Sequence, residues 1–375
     1  MPGILLHSRE ELTPNLAALV RLLDPACSPV EAREHLRTEG VLEAARAHGV
    51  AMLLNQRWSG LIASELPSKV AAEWTAVCRA TAVRTLRQHA HATRLLAALG
   101  EAGVETLPLR GLWLAEAMYG DPSLRPSQDV DLWVAPEQLG DAAAVLRATG
   151  MVPVEGEASE GNREPVPGPP ELRTAAGAWG LATPEPHDWR LWVDVHVTLH
   201  ISSHGWWPFW PPYQWLRERA EPWPAMGPRT LQPRLPLALL VQADNIVRHA
   251  LARRAHHDRL LGYYDAALIV RNMPPAGWLQ VVEDARQLRL GLHLAALLLT
   301  VERLWQVSAP QDVIPQLRRQ GLSWRVGAWA LRRPRLLGHL PRGALFQTCA
   351  MRSPAEAGRY VLRNIGPGLR EMLKS

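Results

Sequence analysis

The chain has 375 residues, 47% of them hydrophobic and 21% charged, with a formal net charge of +5. That is the balance of a globular protein with two or three domains and a large core. The basic surplus is modest and lies largely from Arg318 onward, in R-R-Q-G-L-S-W-R and L-R-R-P-R-L-L. A solvated helix face is favoured there over nucleic-acid binding, because no signature of stacking aromatics accompanies it.

Residues 1–71 read as an N-terminal helical cap. Thr13-Pro14 opens one helix, with proline at an early position where its missing N–H does no harm. Ser28-Pro29 opens another, which Gly40 should stop, and Val41 to Leu54 has helix-spaced apolar residues. Nothing chemical stands out in this region. Residues 72–99 predict a long helix with an apolar side of Val83, Leu86, Ala90, Leu95, Leu96 and Leu99, ended by Gly100 and Gly103. His89 and His91 lie two apart on different helix faces and read as surface histidines.

The catalytic core is expected over 72–204. Stretch 104–134 reads as a strand ending near Leu109, a turn at Arg110-Gly111, a helix from about Leu112 to Tyr119, and a second strand. That second strand carries Asp129 and Asp131. Strand alternation points these two the same way, while Val130, Leu132 and Val134 point into a core. Two carboxylates on one strand face repel and lose hydration. A divalent cation is the simplest way to keep both ionised, and oxygen ligands suit Mg²⁺ or Mn²⁺. A bare D-x-D also fits a solvated strand end, so the context decides. In R-L-W-V-D-V-H-V-T-L-H, the residues Val193, Val195, Val197 and Leu199 alternate with Asp194, His196, Thr198 and His200. If this strand pairs beside the first, Asp194 joins the two acids and His196 sits one step along. Three carboxylates on two neighbouring strands can form a two-metal phosphoryl-transfer site.

Between these strands the pattern predicts a helix over Pro136–Thr149 and a strand start at Met151–Val154. A Gly/Pro/Glu-rich loop should follow over Glu155–Pro170. Residues 177–183 are expected to pair back against 190–199, which makes the sheet mixed. Residues 205–234 form a Trp/Pro-rich linker, with four of the 16 tryptophans between Trp206 and Trp215. A packed connector is favoured there over an aromatic wall that stacks on a base or an acceptor. Residues 235–375 predict a C-terminal helical domain, with Leu288–Val307 its strongest helix. His249, His256 and His257 match no zinc spacing, and Arg253, Arg254 and Arg259 crowd them.

The run L-R-G-L-W-L-A-E-A-M-Y-G-D-P-S-L-R-P-S-Q-D-V-D-L-W-V, followed by V-D-V-H, resembles the uncharacterised bacterial nucleotidyltransferase family of the DNA polymerase β superfamily. That family shows a K-G turn, a Y-G-D-P-x-x-R-x-x-x-D-[IV]-D-L-L-V segment and a later [VI]-[ED]-x-H strand. The likeness is close over 104–150 and 190–200 and looser over 245–270. It implies an α+β fold: a small mixed polymerase-β-like nucleotidyltransferase sheet with flanking helices, plus N-terminal and C-terminal helical regions. It implies transfer of a nucleotidyl group, AMP by expectation, from an NTP to an acceptor hydroxyl on a peptide or small molecule. Asp129, Asp131 and Asp194 would hold Mg²⁺ or Mn²⁺ and, with His196, form the catalytic set. Arg110, Gly111 and Arg125 would bind the nucleotide, and Arg259 and Asp265 would structure a cleft-facing helix.

Two departures stand out. The superfamily has Gly-Ser or Gly-Gly at the phosphate turn, where this chain has Gly111-Leu112 and so no hydroxyl. The family's lysine is Arg110, in a chain whose only lysines are Lys69 and Lys374. Arginine grips phosphate bidentately but is no general base. Two rival readings follow. One is a D-x-D glycosyltransferase using nucleotide sugars, which normally places that motif after a longer parallel α/β domain. The other is a catalytically degenerate nucleotide-binding scaffold.

Cys27, Cys78 and Cys349 are far apart and odd in number, which fits a reducing compartment rather than a disulfide framework. The first residues lack a basic n-region with a long apolar run, and Leu294–Val301 is too short to span a bilayer. The expectation is a cytoplasmic protein without a membrane partner.

Overall fold

The computed structural model describes residues 4–127, 129–153, 179–182, 191–196, 211–251, 259–332 and 342–364. The chain divides into two compact units, one of residues 13–199 with 212–234, the other of 1–12, 200–211 and 235–375. The expected loop 155–170, His200, His256 and His257 lie outside the described residues.

The first unit opens with α1 (Pro14–Leu23), α2 (Pro29–Leu36), α3 (Val41–Ala47) and α4 (Ala51–Glu65). Ser28 and Glu31 form a reciprocal cap on α2, with Pro29 in the first turn. Gly40 does not close α2 as expected. It takes φ +72° and begins α3, and Gly49 at φ +75° separates α3 from α4. The helix-spaced segment Val41–Leu54 therefore falls into two helices, because a left-handed residue breaks the i→i−4 ladder. Leu19, Leu22 and Leu54 are fully buried between these helices, and the Trp58 indole donates to the Leu22 carbonyl at 2.9 Å.

Next comes α5 (Ser68–Glu101), longer at both ends than expected. Its buried side is Trp74, Cys78, Thr85, Gln88, Ala92, Leu95, Leu96 and Leu99. Val83 and Leu86, read as core, are about half exposed, at 52% and 48%. The buried stripe thus runs through the polar Thr85 and Gln88 instead.

The sheet is built from β1 (Thr106–Leu109), β2 (Asp129–Val134), β3 (Val152–Pro153), β4 (Trp179–Ala182) and β5 (Trp192–His196). Helix α6 (Gly111–Tyr119) lies between β1 and β2, and α7 (Leu139–Ala148) between β2 and β3. The strand order is β1-β2-β5-β4-β3. Only β2 and β5 run parallel; the other neighbours are antiparallel. The mixed sheet with flanking helices is the α+β class that the sequence predicts. Val130, Leu132, Val193 and Val195 are all buried on one side of the central pair.

The Trp/Pro-rich stretch contains structure that its composition hides. After α8 (Tyr213–Arg217), β6 (Ala220–Pro222) and β7 (Leu231–Pro233) make a small hairpin. Pro222 and Pro233 close their strands, where a missing N–H does least harm. The hairpin is anchored beside β1, with Thr106 N–H donating to the Arg229 carbonyl at 3.1 Å. Arg217 Nε donates to Glu105 Oε1 at 2.6 Å, which ties α8 to the start of β1.

The second unit is helical: α9 (Leu235–Leu251), α10 (Leu260–Asn272), α11 (Pro275–Leu288), α12 (Gly291–Trp305), α13 (Val313–Arg318), α14 (Trp324–Arg332), α15 (Arg342–Ala350) and α16 (Pro354–Asn364). Helix α12 is buried all round, with Leu292, Leu294, Ala295, Ala296 and Leu297 at 0% exposure, as a central core helix requires. The Thr300 hydroxyl of α12 accepts from Leu6 N–H at 2.9 Å and so holds the N-terminal segment. Asp265 is wholly buried on α10, and the exposed Arg259 precedes that helix at its N-cap position, with no side-chain cap hydrogen bond. Among the described residues no helix is long and apolar enough to cross a membrane.

One glycine carries the hairpin's seat. A Cβ on Gly227 would stand 2.7 Å from Thr230 Oγ1 and 2.9 Å from the Leu96 carbonyl of α5. Gly227→Ala is therefore expected to destabilise the first unit by about 2 kcal/mol, the usual range of overpacking. Denaturant unfolding of the purified variant checks this, and an unchanged midpoint would contradict it.

Candidate active site

Because β2 and β5 are parallel neighbours, Asp131 lies opposite Asp194 and Trp133 opposite His196. Alternation puts these four on the face away from the Val/Leu core. The His196 ring stacks on the Trp133 indole, with centroids 4.4 Å apart and planes 14° from parallel. Stacking fixes the imidazole so that Nε2 lies 3.3 Å from Asp131 Oδ1. Asp131, Asp194 and His196 each offer a ligand atom within 4.8 Å of the others.

Arg110 completes the cluster from the turn after β1. Its backbone has φ +65° and ψ −115°, a region where a non-glycine residue stores about 1–3 kcal/mol of strain. That conformation turns the guanidinium inward, where it forms an ion pair with Asp131 and is only 17% exposed. Burial works against the Asp131 carboxylate. Arg110 and His196 together outweigh it and hold this group well below the usual carboxylate range. Asp194 goes the other way. Burial, and then the charge of Asp131, push it up to about 6. Two neighbouring carboxylates thus have opposite proton affinities, because Arg110 and His196 compensate one of them more than the other.

Asp129 is placed differently. It opens β2, is exposed, and has Trp192 as its neighbour on β5. It is not among the three ligand groups that lie within 4.8 Å of one another, but its charge acts on Arg110 and Asp194. With Gly111, Arg125, Ser127, and Gln88 and His89 of α5, it lines a cavity. The cavity is partly open to solvent. Ser127 Oγ donates to the Asp129 carbonyl at 3.0 Å and lies 3.2 Å from its Oδ1. The helical ladder of α6 begins at Leu114 N–H to Arg110 carbonyl, 2.8 Å, so residues 111–113 bring N–H groups that the helix itself does not use.

The structure therefore gathers Arg110, Asp131, Asp194 and His196 in one cluster. It sets Gly111, Arg125 and Asp129 around the adjoining cavity. Ser127, Gln88 and His89 escape sequence reasoning. His89, read as a surface histidine, is partly buried, with Nε2 2.8 Å from Glu116 Oε1. The signal was present in α5, where Thr85, Gln88 and His89 interrupt an apolar stripe at helical spacing.

The buried Asp131 and half-buried Asp194 can together hold a divalent cation. A carboxyl raised by a neighbouring carboxylate is relieved by positive charge, and carboxylate oxygens suit Mn²⁺ as well as Mg²⁺. A family model described as an uncharacterised nucleotidyltransferase matches residues 34–306. The chain belongs to that family. No curated protein and no solved structure matches it. The matched region of the nucleotidyltransferase chain contains the whole cluster and the cavity beside it.

Removing the Asp194 charge and removing the Arg110 charge should change stability in opposite directions. Asp194 has a folded-state pKa of about 6 against 3.8 unfolded, so stability present below 3.8 is lost as pH rises through about 6. Asp194→Asn is expected to gain roughly 2 kcal/mol at pH 7.5, shrinking towards pH 4. Arg110→Ala strands a buried carboxylate and should lose about 3 kcal/mol at pH 8, less near pH 4 where Asp131 takes up a proton. Thermal unfolding across this pH range reads both signs.

Proposed function

We propose that the chain transfers a nucleotidyl group, with AMP as the first expectation, from an NTP to an acceptor hydroxyl on a peptide or small molecule. The observation that supports this most is the pairing of Asp131 with Asp194 on adjacent parallel strands, beside the N-terminus of α6. Asp131 and Asp194, with Asp129 at the rim, are the residues that would hold Mg²⁺ or Mn²⁺. Such a cation supplies charge neutralisation at the transferring phosphoryl group.

The chain's own residues divide the remaining work. The N–H groups at the start of α6 point the helix dipole at phosphate oxygens. Arg125 lies against the same helix end, its Nη1 3.0 Å from where a Gly111 side chain would begin. It is placed to neutralise charge as pyrophosphate departs. Arg110, expected to bind the nucleotide, also pairs with an acid. Its guanidinium lies on Asp131, so it balances the carboxylate before it can grip phosphate. His196, held by Trp133, accepts the proton of the acceptor hydroxyl as that oxygen bonds to the α-phosphorus and the bond to pyrophosphate breaks. The acceptor is read only as a nucleophile small enough to reach this face.

A second reading keeps the nucleotide and drops the chemistry. The Arg110–Asp131 ion pair favours it, because a fixed cation already satisfies one of the acids. The glycosyltransferase alternative loses its support, since β2 is the second strand of a small mixed sheet rather than part of a long parallel one.

An α-labelled NTP, Mg²⁺ and a peptide and metabolite mixture test the proposal. Label should move from the NTP to an acceptor, γ-label should not, and Asp131→Asn should lower the rate at least about 100-fold. NTP binding without label transfer would favour the scaffold. Transfer that survives both Asp131→Asn and Asp194→Asn would remove this face as the site.

A further inference from the structure

Ser127 has no part in the scheme above, yet it touches two of its members. Its hydroxyl donates to the Asp129 main chain at 3.0 Å and lies 3.2 Å from the carboxylate Oδ1. One hydroxyl proton serves these two acceptors, so the side chain is tied to Asp129 whichever it favours. A Cβ on Gly111 would stand 2.3 Å from Ser127 Oγ and 2.9 Å from Ser127 Cβ. The Ser127 side chain therefore fills the space that Gly111 leaves. All three residues line the same cavity with Arg125.

Asp129 needs such a partner. It is the first residue of β2 and is exposed, so the sheet sets its backbone but leaves its side-chain torsions unconstrained. Asp131, two positions on, is packed at 4% exposure and held by Arg110 and His196. Among the described residues, Ser127 supplies the one hydrogen bond drawn to Asp129's side chain, at 3.2 Å. We propose that Ser127 is the positioning residue that aims the Asp129 carboxylate at the cation and polyphosphate of the nucleotide. In the same geometry, residue 111 is glycine because the Ser127 side chain must pass over it. The inference rests on the nucleotidyltransferase reading and adds a residue to it. It also means that a hydroxyl reaches the phosphate turn from position 127, although Leu112 brings none.

The test uses the full chain and Mn²⁺ alone, titrated by calorimetry or by the free-ion paramagnetic signal. The proteins are the wild type, Ser127→Ala, Asp129→Asn, the double variant, and Asp131→Asn. Asp131→Asn should abolish binding. Ser127→Ala should weaken it about tenfold, the lower end of what an outer-shell partner contributes, with an unchanged Tm. In the Asp129→Asn background, Ser127→Ala should change affinity less than twofold, because its effect runs through that carboxylate. Gly111→Ala, which displaces the Ser127 side chain, should reproduce the Ser127→Ala loss. If Ser127→Ala binds like wild type while Asp131→Asn does not, the positioning role is wrong and the function stands. A further tenfold loss on Asp129→Asn also overturns it. If the wild type binds no Mn²⁺, with or without ATP, both readings fall.

Discussion

Asp131 and Asp194 stand level with each other on two parallel strands, and the site is organised by what offsets their repulsion. Burial removes the water that would otherwise screen them. Arg110 answers from one side at the expense of a strained turn, and His196 answers from the next position along β5. The compensation is unequal, which leaves Asp194 close to protonation at neutral pH and Asp131 firmly ionised. A face with one fixed anion and one labile anion is poised to take up further positive charge.

Arginine in place of lysine at position 110 changes how that charge is supplied. A lysine is a flexible point charge that loses its proton readily when buried, whereas the guanidinium stays charged and keeps a planar fork. Fixed on Asp131, the fork acts as part of the carboxylate's surroundings. Arg125 lies against the start of α6, next to Gly111. The cavity beside them extends to Gln88 and His89, so the long helix α5 forms a wall of the site as well as a support for the sheet.

The supporting structure explains why the face holds its shape. Val130, Leu132, Val193 and Val195 bury the opposite side of the two central strands. The β6–β7 hairpin closes on β1 and on the end of α5, where Gly227 permits close approach. Prolines and tryptophans at high density suggested a connector there. The hairpin instead forms because Leu231 to Pro233 find partners on Ala220 to Pro222, a pairing that local composition does not announce.

Much of this was legible in the order of residues alone. The alternation of valines with Asp194 and His196, and of Val130, Leu132 and Val134 with the two acids, decided which side chains share a face, since strand period is a local property. Helical spacing and proline positions located the starts of α1 and α2, and α6 and α12, to within a few residues. Long-range register decided the rest. It put His196 on Asp131, 65 residues away, left Asp129 at the rim, folded Arg110 onto a carboxylate, and set Ser127 against Gly111. Such contacts depend on which strands become neighbours and how far each side chain reaches once they do, and no local pattern carries that information.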